Sequence, residues 1–384
     1  SLEIAAVTGE GRIVIVDASG IVLLTSDRAI PGHDEEAFGW GGGLALADMD
    51  GDGAVEIAYG ATVFTLAGGE LTRLWVGEAG IGGRGVHSAL STFVDLDGAP
   101  DGHLELLAGN TVYRSDGTVL WRRNDLQDAF PGGGDFDLAG RPAVVLVAGG
   151  QDSVLDGATG ETLVGPASLS GSGSGGPPTV ADFDGDGMPE IGVARAEFYT
   201  MLDPQVTIEE VETFWDGLPI AWEAPNHDFS SSVTGSTVFD FEGDGAAEVV
   251  YNDECFLWVY DGQTGEVRFA TPTNSFTGTE ASLVADVDGD GHAEMLRISN
   301  GASPTRWRCD ESPWTEPDPD SVRPAWAPPE GETAWRGITL FADPARGWAG
   351  TRTLWNQHSY HVTNICDSRD SACADGAAYG TIPT

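Results

Sequence analysis

Short apolar runs recur along the chain and are separated by turns rich in glycine, of which there are 54. Residues 43–47 and 56–59 are one such pair, and residues 282–285 and 294–298 are another. Runs of this length suit β-strands, and few segments show the 3.6-residue period of an amphipathic helix. The pattern therefore predicts an all-β fold of short strands joined by tight turns.

An acidic, glycine-rich loop stands between paired runs and repeats along the chain. The first, residues 48–56, reads DMDGDGAVE, with aspartates at loop positions 1, 3 and 5 and a glutamate at position 9. Related loops begin at residues 95, 135, 182, 240 and 286. The starts are 47, 40, 47, 58 and 46 residues apart. Such intervals fit the roughly 40 to 50 residues of one four-stranded propeller blade.

A second recurrent turn and the two chain ends set the number of blades. The turns at residues 17–20, 115–118, 156–160 and 261–265 predict hairpins between the third and fourth strands. Residues 2–7 resemble the strand that follows a loop, with Glu3 in the place of Glu56. We therefore predict one seven-bladed domain over residues 1–384. Its first blade is completed by a closing strand at 360–365, followed by a tail to residue 384.

The acidic loops offer the ligands that calcium prefers. In an extended loop, carboxylates at positions 1, 3 and 5 turn inward, the carbonyl of position 7 joins them, and the acid at position 9 closes the cage. Oxygen-only ligands on a flexible loop suit Ca²⁺, whereas Mg²⁺ requires a stricter octahedron. We predict about five calcium ions that stabilise the fold. Solvated acidic turns without metal are the alternative.

The predicted ligands come from five loops. They are Asp48, Asp50, Asp52, Ala54 and Glu56; Asp95, Asp97, Asp101, His103 and Glu105; Asp182, Asp184, Asp186, Met188 and Glu190; Asp240, Glu242, Asp244, Ala246 and Glu248; and Asp286, Asp288, Asp290, His292 and Glu294. The loop at 135–142 lacks the third aspartate and the closing acid and contains Arg141, so we expect no metal there. An EF-hand does not fit, because its closing glutamate stands at position 12 between helices.

The four cysteines lack the CxxC spacing of zinc sites. Two disulfides in an oxidising compartment are our preferred interpretation. Cys366 with Cys373 would close a short loop and leave Cys255 to pair with Cys309. Four cysteines allow three pairings, and free thiols are the alternative.

Charge and hydropathy restrict partners and location. The net charge of −43 opposes binding to nucleic acid and to anionic membrane surfaces. No apolar run reaches the roughly 18 to 20 residues that span a bilayer, so we expect no membrane insertion. No signal peptide is present, and the chain begins at Ser1 without Met, which suggests a processed product compatible with export. We expect a secreted or cell-surface protein.

Residues 300–336 form a proline- and tryptophan-rich insertion in the last unit. Its tryptophans and arginines alternate: Arg306, Trp307, Arg308, Trp314, Arg323, Trp326, Trp335 and Arg336. Arginine stacked on tryptophan would fasten the insertion to the propeller. An exposed aromatic surface that binds a sugar or a protein is the alternative.

These features resemble the FG-GAP or VCBS repeats of integrin α-subunit β-propellers and their bacterial relatives. Residues 38–53, FGWGGGLALADMDGDG, join a Phe-Gly opening to the acidic loop, and residues 354–365, LWNQHSYHVTNI, are similar to a closing segment of bacterial members. The resemblance covers essentially the whole chain. It implies a seven-bladed propeller with calcium between the first two strands of a blade, and a role in adhesion and ligand recognition.

The sequence contains no catalytic motif: it has no nucleophile elbow, no HExxH and no phosphate-binding loop. We therefore predict a non-enzymatic, extracellular calcium-binding module that recognises a protein or glycan ligand. A carbohydrate-active enzyme on a propeller scaffold and a structural scaffold within a larger secreted protein are the alternatives.

Overall fold

A computed structural model describes residues 3–31, 41–83, 88–98, 102–137, 140–204, 219–276, 278 and 281–359. These residues form twenty-six β-strands in seven antiparallel sheets, and the described ranges contain no helix. Strands that are consecutive in the chain are neighbours in each sheet. The predicted all-β, seven-bladed fold is confirmed.

Five blades have four strands, and the first and last described blades have three. Blade 1 comprises β1 (Glu3–Val7), β2 (Ile13–Asp17) and β3 (Val22–Thr25). Blade 2 comprises β4 (Ala45–Ala47), β5 (Val55–Tyr59), β6 (Thr62–Ala67) and β7 (Glu70–Val76). Blade 3 comprises β8 (Thr92–Val94), β9 (Glu105–Ala108), β10 (Thr111–Tyr113) and β11 (Val119–Arg122). Blade 4 comprises β12 (Phe130–Gly134), β13 (Ala143–Ala148), β14 (Gln151–Asp156) and β15 (Thr162–Ser168).

The remaining three blades follow the same order. Blade 5 comprises β16 (Thr179–Ala181), β17 (Glu190–Ala194), β18 (Phe198–Leu202) and β19 (Ile220–Pro225). Blade 6 comprises β20 (Ser236–Phe239), β21 (Glu248–Asn252), β22 (Phe256–Tyr260) and β23 (Val267–Pro272). Blade 7 comprises β24 (Leu283–Ala285), β25 (Glu294–Asn300) and β26 (Arg336–Ala342).

The first strands of blades 2 to 7 contact one another in order around the ring. Among the described strands, β1 pairs with β2, as expected for a chain that enters blade 1 at its second strand. The predicted closing strand 360–365 lies outside the described residues. Its insertion beside β1 therefore remains a prediction.

Burial along the strands explains the two hydrophobic patterns in the sequence. The second strands β13, β17 and β21 are buried almost throughout, because neighbouring blades cover both faces of each sheet. The fourth strand β19 instead alternates, with Trp222 and Ala224 buried and their neighbours exposed. One face of an outer strand meets the next blade and the other meets water.

Aspartates in the hairpin turns hold the third and fourth strands together, as predicted. The Oδ1 atom of Asp156 accepts hydrogen bonds from the Thr159 amide at 2.8 Å and the Thr159 hydroxyl at 2.7 Å. Asp261 and Thr264 repeat this arrangement. Such side-chain turns cap the strands without help from distant residues.

A tryptophan in the fourth strand of one blade contacts the hairpin turn of the next blade. The indole Nε1 donates to a backbone carbonyl in three places: Trp75 to Ser115 at 3.0 Å, Trp121 to Gly157 at 2.6 Å and Trp222 to Gly262 at 2.6 Å. At the second of these, Gly160 has a φ of +71°, and a Cβ there would lie 2.7 Å from the Trp121 ring. Glycine therefore serves both turn geometry and packing between blades.

The insertion connects β25 to β26 and is fastened by the predicted arginine–aromatic stacking. Arg297 on β25 lies 4.4 Å from the Trp335 ring centroid, and Arg323 lies 5.2 Å from that of Trp314. A disulfide joins Cys309 in the insertion to Cys255. This predicted pair is confirmed, whereas Cys366 and Cys373 lie outside the described residues.

Asp152 on β14 is a buried carboxyl group with a raised pKa. Its side chain is 1% exposed, and its Oδ2 atom has no hydrogen-bond partner within the described ranges. Burial raises the pKa of Asp152 to about 7. An aspartate in the unfolded chain has a pKa of about 3.9. The folded state therefore gains stability from protonated Asp152 below about pH 3.9, and it loses this stability as the pH rises towards 7.

Asp152→Asn is therefore expected to remove this pH dependence. Between about pH 5 and about pH 8, the free energy of unfolding of the variant should gain about 2–3 kcal/mol relative to the parent. Urea unfolding at saturating calcium at both pH values measures the difference. Glu70→Gln is the control, because Glu70 is an exposed residue of strand β7. A difference between variant and parent that is the same at both pH values would contradict the assignment.

Candidate metal centres

The five acidic loops lie at equivalent places in the propeller. Each connects the first strand of a blade to the second, in blades 2, 3, 5, 6 and 7. Because consecutive antiparallel strands place such connections at the same end of every sheet, the loops share one face of the ring. The repeat in the sequence is thus a repeat of sites around that face.

Carboxylate oxygens converge in all five loops. In four of them, the residues at positions 1, 3 and 9 each contribute an oxygen, and these oxygens lie within 4.8 Å of one another. The groups are Asp48, Asp50 and Glu56; Asp95, Asp97 and Glu105; Asp182, Asp184 and Glu190; and Asp240, Glu242 and Glu248. The fifth group differs, since it joins positions 1, 3 and 5: Asp286, Asp288 and Asp290.

The closing glutamate is buried at the base of each acidic loop. It is the first residue of the second strand in blades 3, 5, 6 and 7, and its side chain is buried in all five loops. In blade 5, Glu190 Oε2 accepts the Phe183 amide at 2.8 Å, a bond from position 2 of the same loop. The same bond recurs in the other loops: Glu56 with Met49, Glu105 with Leu96, Glu248 with Phe241 and Glu294 with Val287.

The first aspartate organises the turn above this base. In blade 5, Asp182 accepts the amide of Gly185 at 2.7 Å through Oδ1 and that of Gly187 at 2.9 Å through Oδ2. The two glycines have φ values of 78° and 91°, which glycine adopts without steric cost. The loop therefore curls around the Asp182 carboxylate.

The carboxylates at position 5 form part of the turn in four loops. Asp52 Oδ1 accepts the amide of Ala54 at 2.7 Å, and Asp186 Oδ1 accepts that of Met188 at 2.8 Å. The pairs Asp244 with Ala246 and Asp290 with His292 repeat this bond. Only Asp290 also belongs to a converging group. The structure thus brings the predicted ligands together in part.

The loop of blade 3 is described only at its two ends. Residues 99–101 lie outside the described ranges, so the position of Asp101 is untested. His103 Nδ1 lies 3.5 Å from the Ser115 hydroxyl in the neighbouring hairpin turn. Asp95, Asp97 and Glu105 nevertheless form the converging group of this blade.

Burial raises the pKa of the closing glutamates in blades 2, 3, 5 and 6, and the adjacent loop acids raise it further. The pKa is about 8 for Glu190 and about 7 for both Glu105 and Glu248. The pKa of Glu56 is also raised, mainly by burial. A carboxylate that is both desolvated and surrounded by like charge is costly unless a cation lies beside it.

The donor set fits a hard divalent cation. All converging atoms are carboxylate oxygens, which Ca²⁺ prefers. In the first loop, the Oδ1 atom of Asp48 is buried and has no hydrogen-bond partner among the described residues. An acceptor of this kind is normally satisfied by a donor, a water or an ion.

The loop at 135–142 contains its own positive charge. Arg141 forms an ion pair with Asp137 four residues earlier, and Asp135 Oδ2 accepts the Gly140 amide at 2.8 Å. A guanidinium thus lies beside the acids of this loop. In this loop the position-3 acid pairs with an arginine, whereas in the five other loops the position-3 acid belongs to a converging carboxylate group.

A polar segment near the C-terminal end of the described chain contacts three blades. The Leu46 amide donates to the Asn356 carbonyl at 3.0 Å, and Asn356 Nδ2 donates to the Leu46 carbonyl at 2.7 Å. Gln357 Oε1 accepts the Phe93 amide at 3.0 Å, and His358 Nε2 donates to Pro131 at 2.8 Å. These partners are on or beside β4, β8 and β12, so the segment fastens the inner strands of blades 2 to 4.

Burial lowers the pKa of His358 to about 4, so this histidine is neutral at physiological pH. Sequence reasoning did not assign this segment a contact with these blades. The consecutive amide side chains of Asn356 and Gln357 were the available signal, because they can satisfy exposed strand edges.

Comparison with known proteins identifies the class to which this ring belongs. Residues 223–296 match the family model described as an FG-GAP-like repeat. The matched stretch contains blade 6 and the acidic loop of blade 7, and it ends within β25. The chain is thus a seven-bladed β-propeller that contains an FG-GAP-like repeat.

Two solved structures share this fold. The biofilm matrix protein Bap1 of V. cholerae matches with a TM-score of 0.61 and 17% identity, over 99% of this chain and 79% of that chain. BBS1N, solved in complex with ARL6DN, matches with a TM-score of 0.51 and 9% identity, over 77% of this chain and 84% of that chain. At these identities the likeness shows the fold alone. Curated protein sequences yielded no match.

Proposed function

We propose that this chain is a calcium-binding β-propeller that serves as a non-enzymatic adhesion or recognition module outside the cell. The observation that carries the calcium proposal is the convergence of three carboxylate oxygens within 4.8 Å in each of five loops. A single acidic turn would be weak support. Five at the same place in five of the seven blades are difficult to explain as independent surface turns.

The residues themselves indicate what calcium would contribute. Asp182 and Asp184 belong to the turn, whereas Glu190 is a buried residue of strand β17. An ion held by all three would fix the turn onto the strand. It would also offset the burial and the repulsion that together raise the pKa of Glu190. Calcium would therefore strengthen the link between the first and second strands of each such blade.

Three observations support a role in recognition outside the cell. The Cys255–Cys309 disulfide is typical of an oxidising compartment. The charge of −43 disfavours nucleic acid as a partner. The similar fold of a biofilm matrix protein indicates that such rings occur in extracellular assemblies. The ligand class that we propose is a protein or a glycan.

Calcium titration into stripped protein tests the metal sites. We expect about five sites in the parent, and we expect Glu190→Gln to remove one or weaken it by roughly tenfold or more. Glutamine can still accept the Phe183 amide, so the variant changes charge while preserving this bond. Asp137→Asn, in the loop that contains Arg141, is the matched control and should leave the stoichiometry unchanged. Absence of calcium binding by the parent would refute the proposal.

Binding assays test the recognition role separately. Glycan and protein arrays probed with and without EDTA should show binding that depends on calcium. Calcium-dependent cleavage of a polysaccharide would instead indicate an enzyme. If neither binding nor cleavage occurs while calcium still binds, the propeller is a structural scaffold.

A further inference from the structure

A segment that follows the last described strand crosses the face that bears the acidic loops. We call residues 343–352 the strap. Its turn is held by Asp343, which accepts the amides of Ala345 at 2.9 Å and Gly347 at 2.6 Å. Arg346, between these two residues, has a φ of 55° and a side chain that is 65% exposed. The turn directs this arginine towards the loop of blade 7.

The strap is anchored on the loop of blade 6 by its apolar residues. The Trp348 ring lies 4.9 Å from that of Phe241, centroid to centroid, and the Ala349 amide donates to the Phe241 carbonyl at 2.8 Å. Phe241 is position 2 of the acidic loop in blade 6. This contact involves no charged group, so it does not depend on whether the loops hold a cation.

The strap also contacts the loop of blade 7. The Asp286 amide donates to the Arg352 carbonyl at 2.9 Å, and His292 Nδ1 donates to the Trp348 carbonyl at 3.3 Å. The guanidinium of Arg346 lies 3.1 Å from Asp290 Oδ2. Asp290 is the third member of the fifth converging group. A positive charge from a distant segment is thus placed on a candidate ligand of this loop.

Among the described residues, an arginine pairs with an acid of the 135–142 loop and another pairs with an acid of the blade 7 loop. The two arginines come from different segments of the chain. Arg141 belongs to its own loop and pairs with Asp137, where the closing acid is missing. Arg346 comes from the strap and pairs with Asp290, in a loop that keeps its converging carboxylates. A guanidinium and a divalent cation at one carboxylate repel each other, because like charges a few ångströms apart interact unfavourably even in water.

We propose that Arg346 sets the cation affinity of the blade 7 loop by competing for Asp290. This inference rests on the proposed calcium binding and deepens it. The blade 7 loop binds calcium more weakly than the other four, and calcium binding there releases Arg346 from Asp290. The apolar anchor at Phe241 keeps the rest of the strap in place, so the release is confined to the Arg346 turn.

The first test compares calcium affinities in Arg346→Gln and the parent. Titration calorimetry gives the isotherms, and the component lost in Asp288→Asn identifies the blade 7 site. Removing the guanidinium should tighten this site by about two- to tenfold and leave the other four unchanged. Arg308→Gln is the matched control, because Arg308 is 75% exposed and pairs with Glu311 in the insertion.

The second test uses the parent chain alone. The chain contains no lysine, so trypsin cleaves only after its 18 arginines. Cleavage after Arg346, followed by mass spectrometry, reports how often this turn is released. Calcium should accelerate cleavage at Arg346 by about two- to tenfold, while it slows cleavage at buried Arg195 and Arg297 by stabilising the fold.

The outcomes separate this inference from the calcium proposal. Five sites with the blade 7 affinity unchanged in Arg346→Gln would overturn the role of Arg346 and leave calcium binding intact. Slower cleavage at Arg346 in calcium would overturn it independently of any variant. No calcium binding at any loop would overturn both. A tighter blade 7 site in Arg346→Gln, with faster cleavage in the parent, is the result that supports the inference.

Discussion

Removal of calcium with a chelator is expected to lower the melting temperature of this propeller by on the order of 15 °C. An ion held at 100 times its dissociation constant contributes about 2.7 kcal/mol to the free energy of unfolding. Five independent sites would contribute about 13 kcal/mol, comparable to the whole stability of a typical domain. Calcium would then be a principal source of stability in the ring.

The reason lies in the buried closing acids. Glu105, Glu190 and Glu248 have their pKa values raised to about 7 or 8 by burial and by the neighbouring acids when no cation is present. At neutral pH the stripped loops must therefore either bind protons or accept repulsion. Either response loosens the junction between the first and second strands.

Differential scanning calorimetry in calcium, in EDTA, and in EGTA with magnesium measures this effect. Magnesium should restore less than half of the stability lost, because it requires octahedral geometry and retains waters. The triple variant Glu105→Gln, Glu190→Gln and Glu248→Gln keeps the loops of blades 2 and 7, so the chelator should lower its melting temperature by only about 6 °C. A melting temperature that is the same within about 2 °C with and without chelator would contradict the expectation.

The architecture could be predicted because its determinants are local and repeated. Each acidic loop is flanked by two apolar runs, and each hairpin turn contains an aspartate or serine with glycine. These signals fix strand order within a blade, and their interval fixes the number of blades. The Glu3 strand predicts that the chain enters blade 1 at its second strand, and the pairing of β1 with β2 is consistent with this prediction.

The candidate sites could be predicted only in part, because ligand direction depends on three-dimensional context. Positions 1, 3 and 9 converge in four loops, as expected. Asp52, Asp186 and Asp244 instead point to backbone amides of their own turns. Sequence spacing states which residues are near one another along the loop. It does not predict which carboxylate oxygen will accept a hydrogen bond from a backbone amide of the turn.

Contacts between distant segments were not predictable from the sequence. Arg346 and Asp290 are 56 residues apart, and Asn356 meets Leu46 across 310 residues. The burial of Asp152 is equally hidden, because β14 reads QDSVLD and Asp152 stands between two other polar residues without any special motif. Such features depend on how the blades and the strap pack against one another. No local pattern in a single sequence indicates this packing.

Loss of the Cys255–Cys309 disulfide is expected to cost about 4 kcal/mol of unfolding free energy. The bond joins residues separated by 54 positions, and the chain-entropy relation for a loop of that size gives this value. Both cysteines are buried in one cluster with Trp258 and Trp326. Cys255→Ala with Cys309→Ala therefore preserves an apolar environment and isolates the contribution of the cross-link.

Loss of the disulfide should loosen the insertion more than the blades, because the bond ties residues 301–335 to the turn between β21 and β22. That turn is held independently: Asp253 Oδ1 accepts the amides of Cys255 and Phe256, each at 2.7 Å. Arg323 still stacks on Trp314 without the disulfide. The double variant should therefore retain its calcium sites while unfolding at lower urea, and near-ultraviolet circular dichroism should show loosened tryptophans. A loss below about 1 kcal/mol would mean that stacking alone holds the insertion in place.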